Sequence, residues 1–189
     1  MSESSNAQIF FDEIFNDEAD SFAFLEKLSL STACTDENEW RDFKGASQIT
    51  SHYCTQIPEK TQKENNRKIL EIWSEYLGAF ANSGGGVLIW GIDAPKRFAQ
   101  GTSLVADVQK LSDRLVEIAN EVVDPPVQGV VVKPIPRDAN YPQGFVVCLV
   151  PPSKFAPHRS KHAKREYYIR SQDGNINCPA SVLRRLFYP

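Results

Sequence analysis

Three acidic residues and one lysine have the types and positions that phosphodiester chemistry requires. Asp42 and Lys44 are two residues apart in ENEWRDFK (37–44), so on a β-strand both would project from one face. Glu37 precedes them, and Asp93 ends the apolar run GVLIWGID. Carboxylates are the oxygen ligands that Mg²⁺ and Mn²⁺ prefer, and a lysine can orient water or balance charge in the transition state. Taken alone, an acid–x–Lys step is also common on surface strands, and an acid after an apolar run is often a structural cap.

The elements around these residues predict a fold of the α/β class, of the α+β type, with a mixed β-sheet flanked by helices. The segment 39–44 suits a short strand, with Trp40, Asp42 and Lys44 on one face and Arg41 and Phe43 on the other. The helical spacing of Ile69, Trp73, Tyr76, Leu77 and Phe80 predicts a helix over 64–82, packed on the buried strand 87–93. The remaining predicted elements are a helix (103–122), strands in 127–135, 144–152 and 167–170, and a short C-terminal helix.

The N-terminal residues 1–35 have a composition that differs from the rest of the chain. They combine acids with aromatic and aliphatic residues, which is too apolar for simple disorder. We expect an acidic and aromatic arm with local helix over 1–35, able to dock on the body or on a partner, and one domain over 36–189. Residues 45–63 are expected to be a polar connection.

Composition and motifs exclude several classes of protein. No apolar run approaches the ~20 residues that a membrane helix needs, and the acidic N-terminus is not a signal peptide. The four cysteines form no CxxC pair, which favours the reducing cytoplasm over a disulfide framework. Glycines 84–86 follow a helix and precede a strand, which is the reverse of the strand–loop–helix order of a phosphate-binding loop. No GxSxG motif occurs, so a serine nucleophile of the hydrolase type is unsupported.

The net charge of −3 conceals an asymmetry along the chain. Residues 1–42 hold 11 acids and 2 bases, a balance of −9, whereas residues 43–189 hold 13 acids and 19 bases, a balance of +6. The densest basic stretch is 154–170. A basic patch beside aromatics is typical of nucleic-acid binding, although a solvated loop is the alternative. The candidate nucleic-acid-binding residues are Lys154, His158, Arg159, Lys161, Lys164, Arg165 and Arg170.

Several of these motifs, in their order and spacing, resemble the Schlafen AlbA-like domain family. They are ENEWRDFK, AFANSGGGVLIWGID (79–93), DPP with VVV, FVVCLVPPSKFAPH, YYIR (167–170) and the final helix, and together they cover about 37–187. The resemblance implies a mixed α/β fold and nucleic-acid binding. It also implies that some members cleave transfer or ribosomal RNA with three acids and a divalent metal, whereas others only bind nucleic acid.

Carried onto this sequence, the resemblance assigns the three metal-binding acids to Glu37, Asp42 and Asp93, with Mg²⁺ or Mn²⁺ as cofactor and Lys44 assisting catalysis. Family members usually carry a glutamate before Phe-Lys, whereas this sequence has Asp42, whose side chain is shorter by one methylene. The zinc-binding set of animal Schlafens has no match. Because animal members pair two lobes around RNA, this single lobe would need a homodimer to form the same groove.

Three interpretations remain open. The first is a cytoplasmic, metal-dependent endoribonuclease module that acts on structured RNA such as transfer RNA. The second is a non-catalytic module that binds RNA or DNA, in which the acids are structural caps. The third is a protein-interaction domain in which the arm, or further domains of a longer protein, engages a partner.

Overall fold

The computed structural model describes residues 5–16, 21–30, 33, 35–46, 59–172 and 174–188. Its helices are α1 (Asn6–Ile14), α2 (Ser21–Ser29), α3 (Glu59–Ala81), α4 (Val108–Ile118) and α5 (Ala180–Phe187). Its strands are β1 (Arg41–Lys44), β2 (Gly86–Trp90), β3 (Val123–Asp124), β4 (Val131–Asp138), β5 (Tyr141–Val150), β6 (Arg159–Ser160), β7 (Tyr168–Ser171) and β8 (Gly174–Asn177). No helix among the described residues has both the length and the apolarity needed to cross a membrane.

The centre of the fold is a four-stranded mixed sheet with the order β1-β2-β5-β4. Strands β1 and β2 are parallel, with Asp42 opposite Leu88, and the long helix α3 connects them. Strand β5 runs antiparallel to both β2 and β4. The remaining strands form two small two-stranded sheets, β3-β6 and β7-β8. The α+β class predicted from the sequence is therefore confirmed.

One face of the central sheet is covered by α3 and α4. The buried side chains of α3 include Ile69, Trp73, Leu77 and Phe80, and they share one apolar cluster with Leu88 and Trp90 of β2. The Trp73 indole Nε1 also donates a hydrogen bond to the Leu115 carbonyl of α4 at 3.0 Å. The predicted packing of the helical stripe on the buried strand is confirmed.

The N-terminal helices cover the other face of the sheet. Phe10, Phe11 and Ile14 of α1 and Leu25 of α2 are buried in a second cluster with side chains of β1, β2 and β5. The described part of the arm therefore docks on its own body, and this packing disfavours a free arm that waits for a partner. Because both faces are covered, β2 is apolar at successive positions rather than at alternate ones.

Trp40 lies on a different face from the one that strand alternation predicts. It precedes β1, and its ring packs edge-on to Phe10 with the two centroids 5.5 Å apart. Trp40 therefore belongs to the arm side of the sheet. The prediction that placed it with Asp42 and Lys44 is wrong because the extended pattern begins only at Arg41.

Three predicted boundaries also change. Strand β2 ends at Trp90 because Gly91 has φ +112°, a conformation that glycine adopts readily. Helix α4 begins at Val108 because the Asp107 side chain caps it by accepting from the Lys110 N–H at 3.0 Å. Helix α3 begins at Glu59 rather than at 64, so residues 59–63 of the predicted polar connection (45–63) are helical, and residues 47–58 of it lie outside the described part of the chain.

Candidate functional site

Strand β1 places its charged and apolar side chains on opposite faces of the sheet. Lys44 lies on the α3 side, where its Nζ is 4.7 Å from the centroid of the Tyr76 ring. Asp42 lies beside Lys44 and forms an ion pair with it. Phe43 points the other way, into the cluster beneath the arm. The predicted projection of Asp42 and Lys44 from one face is therefore what the structure shows.

Asp42 is a buried carboxylate, and a cation holds each of its two oxygens. Lys44 Nζ donates to Oδ1, and Arg170 Nη1 donates to Oδ2 at 3.0 Å. The Asp42 and Arg170 side chains are only 2% and 1% exposed. Buried charges are tolerated when they are paired and hydrogen-bonded, and Asp42 satisfies both conditions. Its negative charge is already balanced from within the chain.

Arg170 ties β7 to the segment that leads into β1. Its Nη2 donates to the Asn38 carbonyl at 2.6 Å, and its Nε donates to the Glu39 carbonyl at 3.2 Å. Its Nη1 also donates to Asn175 Oδ1 of β8 at 2.7 Å. The structure therefore contradicts the prediction that Arg170 contacts nucleic acid, because its guanidinium is buried and its donors are engaged inside the fold.

Glu37 closes part of the outer edge of β1. Its Oε1 accepts a hydrogen bond from the Phe43 N–H at 3.0 Å. The Phe43 carbonyl accepts from Lys44 Nζ at 2.9 Å. In the part of the chain that the structure describes, Phe43 has no neighbouring strand on this side, because β1 is the edge of its sheet. Glu37 and Lys44 thus satisfy backbone groups that a further strand would otherwise pair.

Asp93 reaches the same end of the sheet from β2. It follows the strand by three residues, and its backbone N–H donates to the Gly101 carbonyl at 3.0 Å. Its carboxylate lies against Gly45, the residue after β1. A Cβ at position 45 would be 1.7 Å from Asp93 Oδ1. Gly45 is therefore the residue that lets the Asp93 carboxylate approach the end of β1.

Glu37, Lys44 and Asp93 line one open cleft of about 510 Å³. Asp42 is not among the residues that line it. Within the described residues, no group of three His, Cys, Asp or Glu side chains is arranged to hold a metal ion. Asp42 does not fit the predicted role of metal ligand, because Lys44 and Arg170 occupy its two oxygens. Glu37 and Asp93 both line the cleft, and carboxylates are the kind of oxygen ligand that Mg²⁺ takes in proteins.

The electrostatics of the cleft follow from burial and from the Asp42 charge. Burial raises the pKa of Glu37, and repulsion from Asp42 adds to the rise, while Lys44 opposes it. Burial alone would lower the pKa of Lys44, but attraction to Asp42 outweighs it and raises that pKa. The pKa of Tyr76 is raised by burial and then by Asp42. Lys44 is therefore a permanent cation, and the neighbouring Glu37 carboxylate resists ionisation.

The predicted basic residues separate into exposed and buried groups. His158 is fully buried, its backbone N–H donates to Asn82 Oδ1 at 2.6 Å, and its Nδ1 lies 2.6 Å from the Pro125 carbonyl oxygen. This burial contradicts the prediction that His158 contacts nucleic acid. The other five candidates of the loop are exposed to solvent; they are Lys154, Arg159, Lys161, Lys164 and Arg165.

The sequence analysis missed two features of this region. The basic composition of 154–170 predicts that Arg170 is a surface cation, but Arg170 lies two residues after the buried Tyr168, so strand alternation places both on one buried face. The sequence predicts Asn82 only as the last residue of the helix over 64–82. Asn82 donates from Nδ2 to the carbonyls of His158 and Tyr168, both at 2.9 Å, and so fixes the loop before β7. No sequence signal indicates that second role.

Comparisons with known proteins identify a family model that matches this chain and solved structures that are similar to it. The family model described as Schlafen, AlbA_2 matches residues 37–179, about three quarters of the chain. The chain is also similar to a crystal structure of the DIP2311 protein from Corynebacterium diphtheriae, with 17% identity and a TM-score of 0.44. That similarity covers 82% of this chain and 26% of the other, so the chain spans about a quarter of that protein. Curated protein sequences give no match.

Proposed function

The chain belongs to the Schlafen AlbA_2 family, and from this membership together with the exposed basic loop we propose that it is an RNA-binding module. The module would hold the phosphate backbone of structured RNA, such as transfer RNA, with the side chains of Lys154, Arg159, Lys161, Lys164 and Arg165. Family membership supports a function related to nucleic acid. The choice of RNA and of this surface is our proposal.

The observation that carries the proposal is the concentration of exposed cations on an ordered loop. Residues 151–165 contain five lysines and arginines and no acid. The loop backbone is fixed, because the Lys161 N–H donates to the Val122 carbonyl at 2.9 Å and Arg159 Nε donates to the Arg165 carbonyl at 2.8 Å. Cations on a fixed loop can meet successive phosphates with little loss of entropy, and they release counterions on binding.

The test of this proposal replaces Lys161, Lys164 and Arg165 together by alanine. Binding of transfer RNA is measured at several salt concentrations, for example by fluorescence anisotropy. We expect weaker binding to all RNAs, and a slope of log affinity against log salt that is shallower by roughly 2 units, near 0.7–0.9 per lost phosphate contact. The matched control replaces the exposed Lys27, Lys68 and Lys110 by alanine, which removes the same charge from other surfaces. Equal slopes for the two triple variants would contradict the proposal.

A second candidate function, metal-dependent endoribonuclease activity, is favoured by the cleft. Glu37 and Asp93 line it together with Lys44, the arrangement of oxygen ligands and cation that phosphate chemistry uses. Mg²⁺ or Mn²⁺ held by Glu37 and Asp93 would supply charge neutralisation at a phosphate. Lys44 would add a permanent positive charge beside it. Asp42 would act only by positioning Lys44.

The test of the second candidate incubates the protein with total RNA in the presence and absence of Mn²⁺. Discrete fragments that require Mn²⁺ and disappear in Asp93→Asn would support cleavage. Thermal melts of both proteins with and without Mn²⁺ give an independent reading, because a bound ion stabilises the wild type by about 2.7 kcal/mol at a hundred-fold excess over its Kd. If Mn²⁺ does not change the melting temperature of the wild type and no fragments form, the nuclease candidate is contradicted and RNA binding without cleavage remains.

A further inference from the structure

Phe155 is a large apolar side chain that the fold leaves in water. Its side chain is 61% exposed, whereas most large apolar residues of the sheet and of the helices on it are buried. It stands beside the exposed Lys154 and four residues before the exposed Arg159. A single exposed aromatic residue needs no explanation by itself. An aromatic residue next to cations on a fixed loop, however, has the combination of groups that binds nucleotides.

The loop that carries Phe155 is fixed at both ends on the C-terminal end of α3. At one end the Ser153 N–H donates to the Ala81 carbonyl at 3.1 Å, and at the other the His158 N–H and carbonyl both bond to the Asn82 side chain. Between them, the Phe155 N–H donates to Ser153 Oγ at 3.0 Å. The backbone that presents the Phe155 ring is therefore ordered before any ligand binds.

The start of the loop is also packed tightly against the turn after α3. A Cβ on Gly85 would be 2.8 Å from Pro152 Cδ, so the proline lies directly on the glycine backbone. Gly85 has φ +82°, which glycine adopts without strain. Because the loop is held on one side by this contact and on the other by Asn82, its tip has a defined position relative to the neighbouring cations.

We propose that Phe155 stacks on an unpaired base while the surrounding lysines and arginines hold the phosphates of the same strand. The module would then select single-stranded segments of RNA, such as loops, over continuous duplex. This inference rests on the proposed RNA-binding function and adds the form of nucleic acid that the surface takes. Bases in a duplex are stacked on one another, so their faces are not open to an aromatic side chain.

The charge of the loop favours nucleic acid over a protein partner. The interior of a protein–protein interface is depleted of lysine, whereas Phe155 follows Lys154 directly and lies in a segment with five cations and no acid. An aromatic ring among cations matches the two parts of a nucleotide, since the base offers an apolar face and the phosphate a negative charge. One exposed ring next to cations is therefore suited to one nucleotide of a single strand, with its base on the ring and its phosphate on a cation.

The test compares Phe155→Ala with Tyr141→Ala. Tyr141 is a matched control because it is 60% exposed and lies in the β4–β5 hairpin, outside the basic loop. Affinities are measured for a ~12-nucleotide single-stranded RNA, a length within the site sizes of such surfaces, and for a blunt RNA duplex of the same sequence. We expect Phe155→Ala to weaken single-strand binding roughly 5- to 150-fold, the range for loss of one stacked base, and to change duplex binding less than about twofold. Phe155→Trp should retain the affinity, and Tyr141→Ala should match the wild type.

The outcomes separate the two proposals. If the wild type binds RNA but Phe155→Ala weakens single strand and duplex equally, or neither, the stacking inference is overturned and the RNA-binding function stands. If the wild type binds neither RNA, both are overturned. If the wild type binds no RNA but is retained on an immobilised acidic peptide, and Phe155→Ala loses that retention, the surface belongs to a protein partner. Thermal melts of the three variants should match the wild type, because both positions are exposed.

Discussion

The carboxylate of Glu37 has two physical roles that depend differently on its charge. As a hydrogen-bond acceptor for the Phe43 N–H, it needs an oxygen but no charge. As an ion, it faces Lys44 Nζ at 4.0 Å and is repelled by the buried Asp42. Burial and this repulsion raise its pKa above the ordinary 4.5, so the folded protein disfavours the ionised form relative to the unfolded chain.

These roles predict opposite effects for two substitutions of Glu37. Glu37→Gln keeps an acceptor oxygen and removes the charge, so at neutral pH the variant should be as stable as the wild type or more stable. Glu37→Ala removes the acceptor and leaves the Phe43 N–H unsatisfied at the sheet edge, which should cost about 1–3 kcal/mol. Urea denaturation of the three proteins measures both differences. Equal destabilisation by Gln and Ala would contradict a role as neutral edge cap.

The pH dependence of the same pair checks the sign of the pKa shift. Because the folded pKa is raised, the folded protein binds a proton more readily, and the ionised Glu37 lowers stability at any pH above that raised value. The cost disappears as pH falls below the ordinary 4.5. The advantage of Glu37→Gln over the wild type should therefore be largest near neutral pH and vanish in acid. An advantage that grows as pH falls would mean that the folded pKa is lowered.

At the same scale, the residue spacing predicted part of the acidic site and could not predict the rest. The two-residue step placed Asp42 and Lys44 on one face, because alternation is a local property of a strand. The second cation that pairs with Asp42 is Arg170, which is 128 residues away in the chain and reaches it only through the tertiary fold. The same is true of Gly45 and Asp93, which meet because β1 and β2 are parallel neighbours.

At the scale of elements, helix α3 joins the apolar cluster on its own face of the sheet to the site. Its apolar stripe rests on β2 and α4, and Tyr76 on the same helix lies under the Lys44 ammonium. The 3.6-residue period of that stripe predicted the packing from sequence alone, since a long amphipathic helix must bury its apolar face. The ends of the elements were less predictable because glycine conformation and capping determine them, as at Gly91 and Asp107.

The packing of α3 predicts a large cost for truncating its central tryptophan. Trp73 is fully buried, and its Nε1 satisfies the Leu115 carbonyl. Trp73→Ala should lower the free energy of unfolding by about 3–5 kcal/mol, through lost burial and the cavity that remains. Phe98→Ala is the control, since Phe98 is 51% exposed and should change stability by less than about 0.5 kcal/mol. A loss below about 1 kcal/mol for Trp73→Ala in a denaturant melt would contradict the packing.

At the scale of the whole molecule, the family match and the hydrophobic core have different boundaries. The match begins at Glu37, yet the core beneath the sheet includes residues of α1 and α2. Composition predicted that residues 1–35 were too apolar for simple disorder, but it left open whether they covered the body or a partner. Helices α1 and α2 pack on the body because the apolar residues of β2 and β5 that face away from α3 need a covering layer.

Two isoleucines of α1 test whether the arm is part of the cooperative fold. Ile14 is 1% exposed and Ile9 is 48% exposed on the same helix, so they match in chemistry and differ in burial. Ile14→Ala should cost about 2–5 kcal/mol, and Ile9→Ala less than about 0.5 kcal/mol. The summed fluorescence of the three tryptophans, of which Trp40 packs on Phe10 of the arm, should change in the same single urea transition as the circular dichroism of the whole chain. If part of the fluorescence changes at lower urea than the circular dichroism, or if both substitutions are nearly neutral, the arm is a separable segment and its packing contributes little to the stability of the sheet.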